Sequence, residues 1–160
     1  MTISIAIAQP NDASDLAHIM IDAWRAGFRG ILSEETIDKY TQFEDCKSMF
    51  HQILTSGTGT LYLASMNCQP AGLLYWLEGE TCTARIEALL TCPEAWGKGV
   101  AAALMERCIS DAKDVGCTAL QVWPFAENHR ARRFYEKQGF APSGASRHRD
   151  AFELEYIRNI

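Results

Sequence analysis

The chain has 160 residues, 48% of them hydrophobic and 22% charged, and a formal net charge of −5 from 20 acidic and 15 basic side chains. That length and mix describe one compact globular domain over residues 1–160 with a sizeable core. Ordinary glycine and proline counts exclude collagen-like and disordered classes, and no apolar run reaches the roughly 18 residues of a membrane span. The start, Met1-Thr2-Ile3-Ser4-Ile5, has neither a basic leader nor a long apolar block, so a cytoplasmic protein without a membrane partner is expected. The acidic balance makes free nucleic acid a poor partner and leans toward a cationic substrate.

Six cysteines, at 46, 68, 82, 92, 108 and 117, form no C-x-x-C pair, and none of the 4 histidines completes a metal-ligand pattern. Reduced thiols and no metal are the expectation.

In chain order, Ile3, Ile5 and Ile7 alternate as a first strand, which Pro10-Asn11-Asp12 ends. Leu16, Ile19, Met20 and Ala23 recur at helical spacing from Ala13 to about Ala26, and Gly27 and Gly30 bracket a turn. Ser33-Glu34-Glu35 opens another helical stretch that runs through Phe50, Ile53 and Leu54 to Gly57-Thr58-Gly59. Thr60–Met66 and Ala71–Glu78 read as a hairpin around Asn67-Cys68-Gln69-Pro70, and Thr83–Thr91 as a third strand. Val100, Leu104, Cys108, Ala112 and Val115 mark the apolar face of a long helix. Ala119–Val122 is a short strand, Asn128–Gln138 a helix stopped by Gly139, and Phe152–Tyr156 a final strand. The class is α/β in looser usage (α+β), a mixed and mostly antiparallel sheet flanked by helices.

The most informative stretch ends a strand at Pro93 and runs through two glycines into the long helix: Leu89-Leu90-Thr91-Cys92-Pro93-Glu94-Ala95-Trp96-Gly97-Lys98-Gly99-Val100-Ala101. Glycines allow close approach of an anion, and a helix N-terminus offers unpaired N–H groups to phosphate oxygens. The same glycines would also serve a plain tight turn. The Walker pattern fails because Gly99 follows Lys98, and the dinucleotide fingerprint fails at Ala102.

This stretch resembles the acetyl-CoA loop of the GCN5-related N-acetyltransferase (GNAT) superfamily, [Q/R]-x-x-G-x-[G/A] after a strand ending hydrophobic-x-hydrophobic-x-Pro. Trp96 stands where Gln or Arg is usual. The resemblance implies that Trp96 belongs to the cofactor-binding loop and that backbone amides from Gly97 and Lys98 through Gly99, Val100, Ala101 and Ala102 hold the CoA pyrophosphate. It also implies that the edge of Leu89, Leu90 and Thr91 pairs with pantetheine. Asn128-His129-Arg130-Ala131-Arg132-Arg133-Phe134-Tyr135-Glu136-Lys137-Gln138-Gly139-Phe140 is similar to the family signature N-x-x-A-x-x-[F/L]-Y-x-x-x-G-F. By that likeness Asn128 caps the helix and meets pantetheine, and Tyr135 is the general acid that protonates the departing thiolate. Arg130, Arg132 and Arg133 form either a solvated helix face or a site for the 3′-phosphate. Trp24-Arg25-Ala26-Gly27-Phe28-Arg29-Gly30-Ile31 resembles a segment that lines the acceptor site in one GNAT subgroup, which implies substrate contacts at Trp24, Phe28 and Arg29.

The general base departs from the pattern. Arg85 occupies one family base position and Gln121 another, so Glu87, two residues on and on the same strand face, is the candidate. The resemblance implies a metal-free N-acetyltransferase that moves acetyl from acetyl-CoA to a primary amine of a small molecule or peptide, as a monomer or homodimer. The rival readings are a non-catalytic acyl-CoA sensor with the same fold and an RNA-associated role for the basic cluster.

Overall fold

The computed structural model describes residues 1–160. The strands are β1 (Ile3–Ile7), β2 (Thr60–Met66), β3 (Gln69–Glu78), β4 (Thr83–Thr91), β5 (Ala119–Val122), β6 (Ala141–Arg149) and β7 (Ala151–Asn159). The helices are α1 (Ala13–Gly27), α2 (Glu34–Tyr40), α3 (Phe43–Ser56), α4 (Val100–Asp114) and α5 (His129–Lys137). The seven strands form one sheet in the order β1-β2-β3-β4-β5-β7-β6, antiparallel except where β4 runs parallel to β5.

Two apolar layers cover the sheet, as the alternation of inward and outward side chains requires. On one face α1 and α3 bury Leu16, Ile19, Met20 and Phe50 against Leu61 and Leu73. On the other, α4 and α5 bury Val100, Leu104, Met105, Cys108 and Tyr135 against Tyr62, Leu74, Trp76 and Tyr156. A polar chain locks α4 to the sheet. Trp76 Nε1 donates to Tyr62 Oη at 3.0 Å, Tyr62 Oη donates to Asp111 Oδ2 at 2.7 Å, and Arg107 Nε donates to the same oxygen at 2.9 Å.

β4 and β5 hold together only from Thr83↔Ala119 to Ile86↔Val122. Beyond that register β4 continues along β3 to Thr91, while the chain after β5 turns toward β7, where Leu154 N–H donates to Pro124 O and Ala126 N–H to Phe152 O. A wedge therefore opens between the two strands. Register between β3 and β4 slips where Tyr75 faces Ala88 and Trp76 faces Ile86, which makes Glu87 the extra residue of a β-bulge. The slip also exchanges faces: Ile86 and Leu89 pack with α4, Ala88 and Leu90 with α1.

Several sequence expectations need correction. β6 was not anticipated; Ala-Pro-Ser-Gly-Ala-Ser-Arg-His-Arg shows no apolar alternation because β6 is the sheet's outer edge and eight of its nine residues are exposed. After Ser33 the helical stretch divides into α2 and α3 at Thr41-Gln42, where buried Thr41 donates its hydroxyl to Ile37 O at 2.7 Å. The β2–β3 turn is only Asn67-Cys68, both at positive φ, so Gln69 and Pro70 already belong to β3. Val115 lies past the end of α4 and is exposed rather than part of its apolar face.

Candidate active site

Two cavities meet at the wedge between β4 and β5. One, of about 460 Å³, lies between the end of β4, the loop into α4, the end of α1 and the face of α5. Its floor is Leu89, Leu90 and Thr91, and its far wall is Trp96, Gly97, Gly99, Val100, Ala101 and Ala102. Gly97 (φ +73°) and Gly99 (φ +91°) both take the left-handed conformation that side chains resist. No side chain caps α4, and the amides of Val100, Ala101 and Ala102 have no protein acceptor. Unpaired donors at the positive end of a 15-residue helix form an anion cradle. Across from it α5 presents Arg130, Arg133 and Lys137, and no carboxylate lines this cavity. Free strand edge, open amides and cations together suit a long, polyanionic, amide-bearing ligand such as acetyl-CoA.

Trp96 does two things in this wall. Its indole Nε1 donates to Thr91 O at 3.2 Å, tying the loop to the end of β4. Its ring also lies 3.8 Å beneath the Arg130 guanidinium. Arg132 points elsewhere: Nε donates to Tyr156 Oη at 3.0 Å and Nη1 to Ala126 O at 2.8 Å, so this arginine fastens α5 to the sheet. Tyr156 Oη in turn donates to Glu136 Oε1 at 3.2 Å.

The second cavity, about 620 Å³, opens on the other side of the wedge. Trp24 and Phe28 meet edge to face at 5.0 Å, and Phe28 meets Phe125 at 5.0 Å, forming an aromatic wall. Arg85 and Glu87 stand on β4 joined at 2.9 Å, with side chains 49% and 37% exposed. Gln121, beside Arg85 in register, donates its amide to Glu155. The β6–β7 hairpin closes the cavity with Arg147, Arg149, Asp150 and Glu153.

Phe28, Leu89, Leu90, Ala131 and Tyr135 line both cavities. Tyr135 is 6% exposed and packed edge-on against Phe134 and Phe140. Burial pushes its hydroxyl well above the ordinary phenol range, and the Arg130 charge acts weakly the other way. The phenol is therefore held un-ionised at the junction of the two spaces.

A sequence model described as the acetyltransferase (GNAT) family matches residues 16–140. The chain belongs to that family. Family membership makes it an acetyl-CoA-dependent acetyltransferase. Among its relatives, an uncharacterized N-acetyltransferase of Mycobacterium tuberculosis is 28% identical over 135 residues, covering 83% of this chain and 85% of that one. One of Archaeoglobus fulgidus is 24% identical over 137 residues, covering 82% and 88%. The PaiA N-acetyltransferase of Thermoplasma acidophilum, solved in complex with coenzyme A, superposes with TM-score 0.88 at 18% identity over 100% of both chains. A GCN5-related N-acetyltransferase structure from Rhodopseudomonas palustris gives 0.82 at 20% identity, over 100% of this chain and 97% of that one. At these identities the two structures share a fold with this GNAT chain.

Most residues singled out from the sequence of this GNAT protein converge. Leu89, Leu90, Thr91, Trp96, Gly97, Gly99, Val100, Ala101, Ala102 and Tyr135 line the first cavity, and Glu87, Trp24 and Phe28 the second. Three stand apart. Lys98 is exposed and off the cavity wall, and Arg29 is exposed beyond both cavities. Asn128 caps α5, its Oδ1 accepting from Ala131 N–H at 3.2 Å, and does not line the first cavity. Sequence reasoning missed Lys137, which follows Arg130 and Arg133 along one helix face, and missed Trp123, Phe125 and the hairpin charges. Helical spacing signals Lys137; nothing in the local sequence signals the hairpin.

Proposed function

We propose that this single-domain protein is an N-acetyltransferase that moves acetyl from acetyl-CoA directly to an amine of a small molecule or peptide, both substrates being bound together. The observation that carries the reading is that Tyr135 lines both cavities at the wedge between β4 and β5. Acetyl-CoA takes the first cavity: the open amides of Val100 to Ala102 and the neighbouring glycines bind pyrophosphate, and Arg130, Arg133 and Lys137 offer positive charge to the 3′-phosphate. Pantetheine lies along the free edge of β4. Thr91 O is already taken by Trp96, so pairing uses the remaining groups of the edge. A backbone N–H at Leu90 or Thr91 polarises the thioester carbonyl as it gains negative charge.

The amine enters between the aromatic wall and β4. Its nitrogen forms the new N–C bond as the C–S bond breaks; sulfur leaves with the electron pair and takes the Tyr135 proton. The nitrogen gives up one proton, to Glu87 directly or through water. Glu87 must first loosen its bond to Arg85, which the exposed position of both side chains allows. No step calls for a metal, the surface charge disfavours nucleic acid, and no helix is long and apolar enough to cross a membrane. We place the enzyme in the cytoplasm, as a monomer or homodimer.

The test is the thermal midpoint with acetyl-CoA, with ATP and NAD as controls, for the wild type and Gly99→Glu. Ligand at about 100 times its dissociation constant adds roughly 2.7 kcal/mol. A midpoint raised by acetyl-CoA alone and lost in the variant supports the donor site; no rise with acetyl-CoA overturns it. Binding without turnover on any amine would leave the sensor reading.

A further inference from the structure

The chain as a whole carries a formal charge of −5, yet its acceptor-side cavity does not share that excess. Arg85, Arg147 and Arg149 stand against Glu87, Asp150 and Glu153 on the wall, so the formal charges cancel. A polycationic acceptor gains no net field there, contrary to what overall composition suggests.

Arg147 is the feature built to hold something. Its guanidinium lies 4.3 Å over the ring of Trp123, and its Nε donates to Glu153 Oε1 at 2.9 Å. The Glu153 side chain is only 12% exposed, so the brace is firm. The contact with Trp123 and the bond to Glu153 together hold the guanidinium in place. The bond to Glu153 uses the single Nε hydrogen, and the two Nη groups make no hydrogen bond to protein. At 35% exposure the side chain remains reachable from the cavity. A guanidinium held in one orientation with paired N–H donors free matches the geometry of a carboxylate. Beside it, Phe125, bridged to Glu153, and Phe28 give the same cavity an apolar stretch.

We propose that the acceptor is an amine that also bears a carboxylate, with the carboxylate on the Nη groups of Arg147 and an apolar body against Phe28 and Phe125. Its amine then faces the junction at Leu89 and Tyr135. This rests on the acetyl-transfer reading above. A free amino acid and the C-terminus of a short peptide present the same chemistry.

The experiment follows thiol release from acetyl-CoA with matched acceptors: phenylalanine against phenethylamine, leucine against isoamylamine, and phenylalanyl-leucine against its C-terminal amide. The wild type turns over the carboxylate member with kcat/KM about 10- to 100-fold higher, the scale of a charged hydrogen-bond pair. A better rate with the dipeptide than with the amino acids assigns the carboxylate to a peptide; the reverse order assigns it to a free amino acid. Arg147→Lys and Arg147→Ala bring the paired rates to within about threefold of each other, while the dissociation constant for acetyl-CoA stays at its wild-type value and shows the fold intact. The proposal is overturned by equal or faster turnover of the amines lacking a carboxylate, or by an unchanged ratio in both variants. It is also overturned if a protein that binds acetyl-CoA turns over no carboxylate-bearing amine. Failure to bind acetyl-CoA removes the transfer reading and this proposal together.

Discussion

The guanidinium of Arg130 lies 3.8 Å over the ring of Trp96, so a residue of α5 and a residue of the loop into α4 touch across the first cavity. Gly27, at the end of α1, completes the contact: a Cβ there would sit 3.4 Å from Arg130 Nη2. Three walls of one cavity thus depend on one side chain. Stacking of this kind contributes about 1 kcal/mol where it is partly exposed, and the charge faces where phosphate is proposed to bind. Arg130→Ala is expected to weaken acetyl-CoA binding by about 5- to 20-fold, read by titration calorimetry. Unchanged affinity would make the stack a surface contact only.

Tyr135→Phe removes one oxygen from a ring already fixed by Phe134 and Phe140. The expected result is a fall in kcat of about 10²- to 10⁴-fold with acetyl-CoA affinity and thermal midpoint close to wild type. A loss of affinity equal to the loss of rate would place the hydroxyl in ground-state binding instead.

Glu87 is tied to Arg85 and stands at a bulge on the wall of the second cavity. If its carboxylate takes the amine proton, Glu87→Gln lowers kcat at saturating acetyl-CoA by at least about tenfold, and Glu87→Asp, which keeps the carboxylate, recovers part of the loss. Equal rates in the two variants would reduce Glu87 to one half of an ion pair.

How much of this was readable in advance follows from where each signal lies. The loop 96–102 and the α5 segment through Tyr135 are local runs whose spacing is itself the geometry, so both cavity walls that they form were legible. Trp24 and Phe28 stand four residues apart at the end of α1, a spacing that brings side chains of one helical face together, and the two rings do meet. The hairpin was not. Arg147 sits on an edge strand with no apolar rhythm, and its partners Glu153 and Trp123 come from another strand and a loop. Asn128 fulfilled its local role as a cap, but its place relative to the cavity depends on how the chain leaves β5, which spacing does not encode. The fate of Glu87 likewise turned on a register slip between β3 and β4.

Tyr62 and Tyr135 both titrate above the ordinary phenol value of about 10, chiefly because burial disfavours the phenolate. For a group whose folded pKa is raised, the stabilisation is whole below the unfolded value and declines as pH rises through and beyond it. Burial raises the thiols of Cys92 and Cys108 as well, so the thermal midpoint is expected to begin falling above about pH 9 and to fall more steeply above about pH 10, where the phenols add their share. Tyr135→Phe removes one of the two phenol contributions, so its midpoint declines less steeply between about pH 10 and 11.5 than that of the wild type. Parallel declines measured by calorimetry in both proteins would mean that Tyr135 ionises freely in the fold.

Asp111 accepts from both Tyr62 and Arg107 and so couples α4, which begins at the anion cradle, to β2 and β3. Asp111→Ala leaves the hydroxyl of fully buried Tyr62 without its acceptor, a cost of about 1–3 kcal/mol. The Arg107 pair adds little, because both of its side chains are about a third exposed and screened by water. Tyr62→Phe strands the Trp76 N–H, 3% exposed as a residue, and is expected to cost a similar amount. The double variant separates the two contributions: groups in one chain of bonds lose less together than the sum of their separate losses. Denaturant unfolding with an unchanged slope measures this. Strict additivity would mean that Tyr62 and Asp111 stabilise α4 independently, and that the chain from Trp76 to Arg107 does not act as one unit.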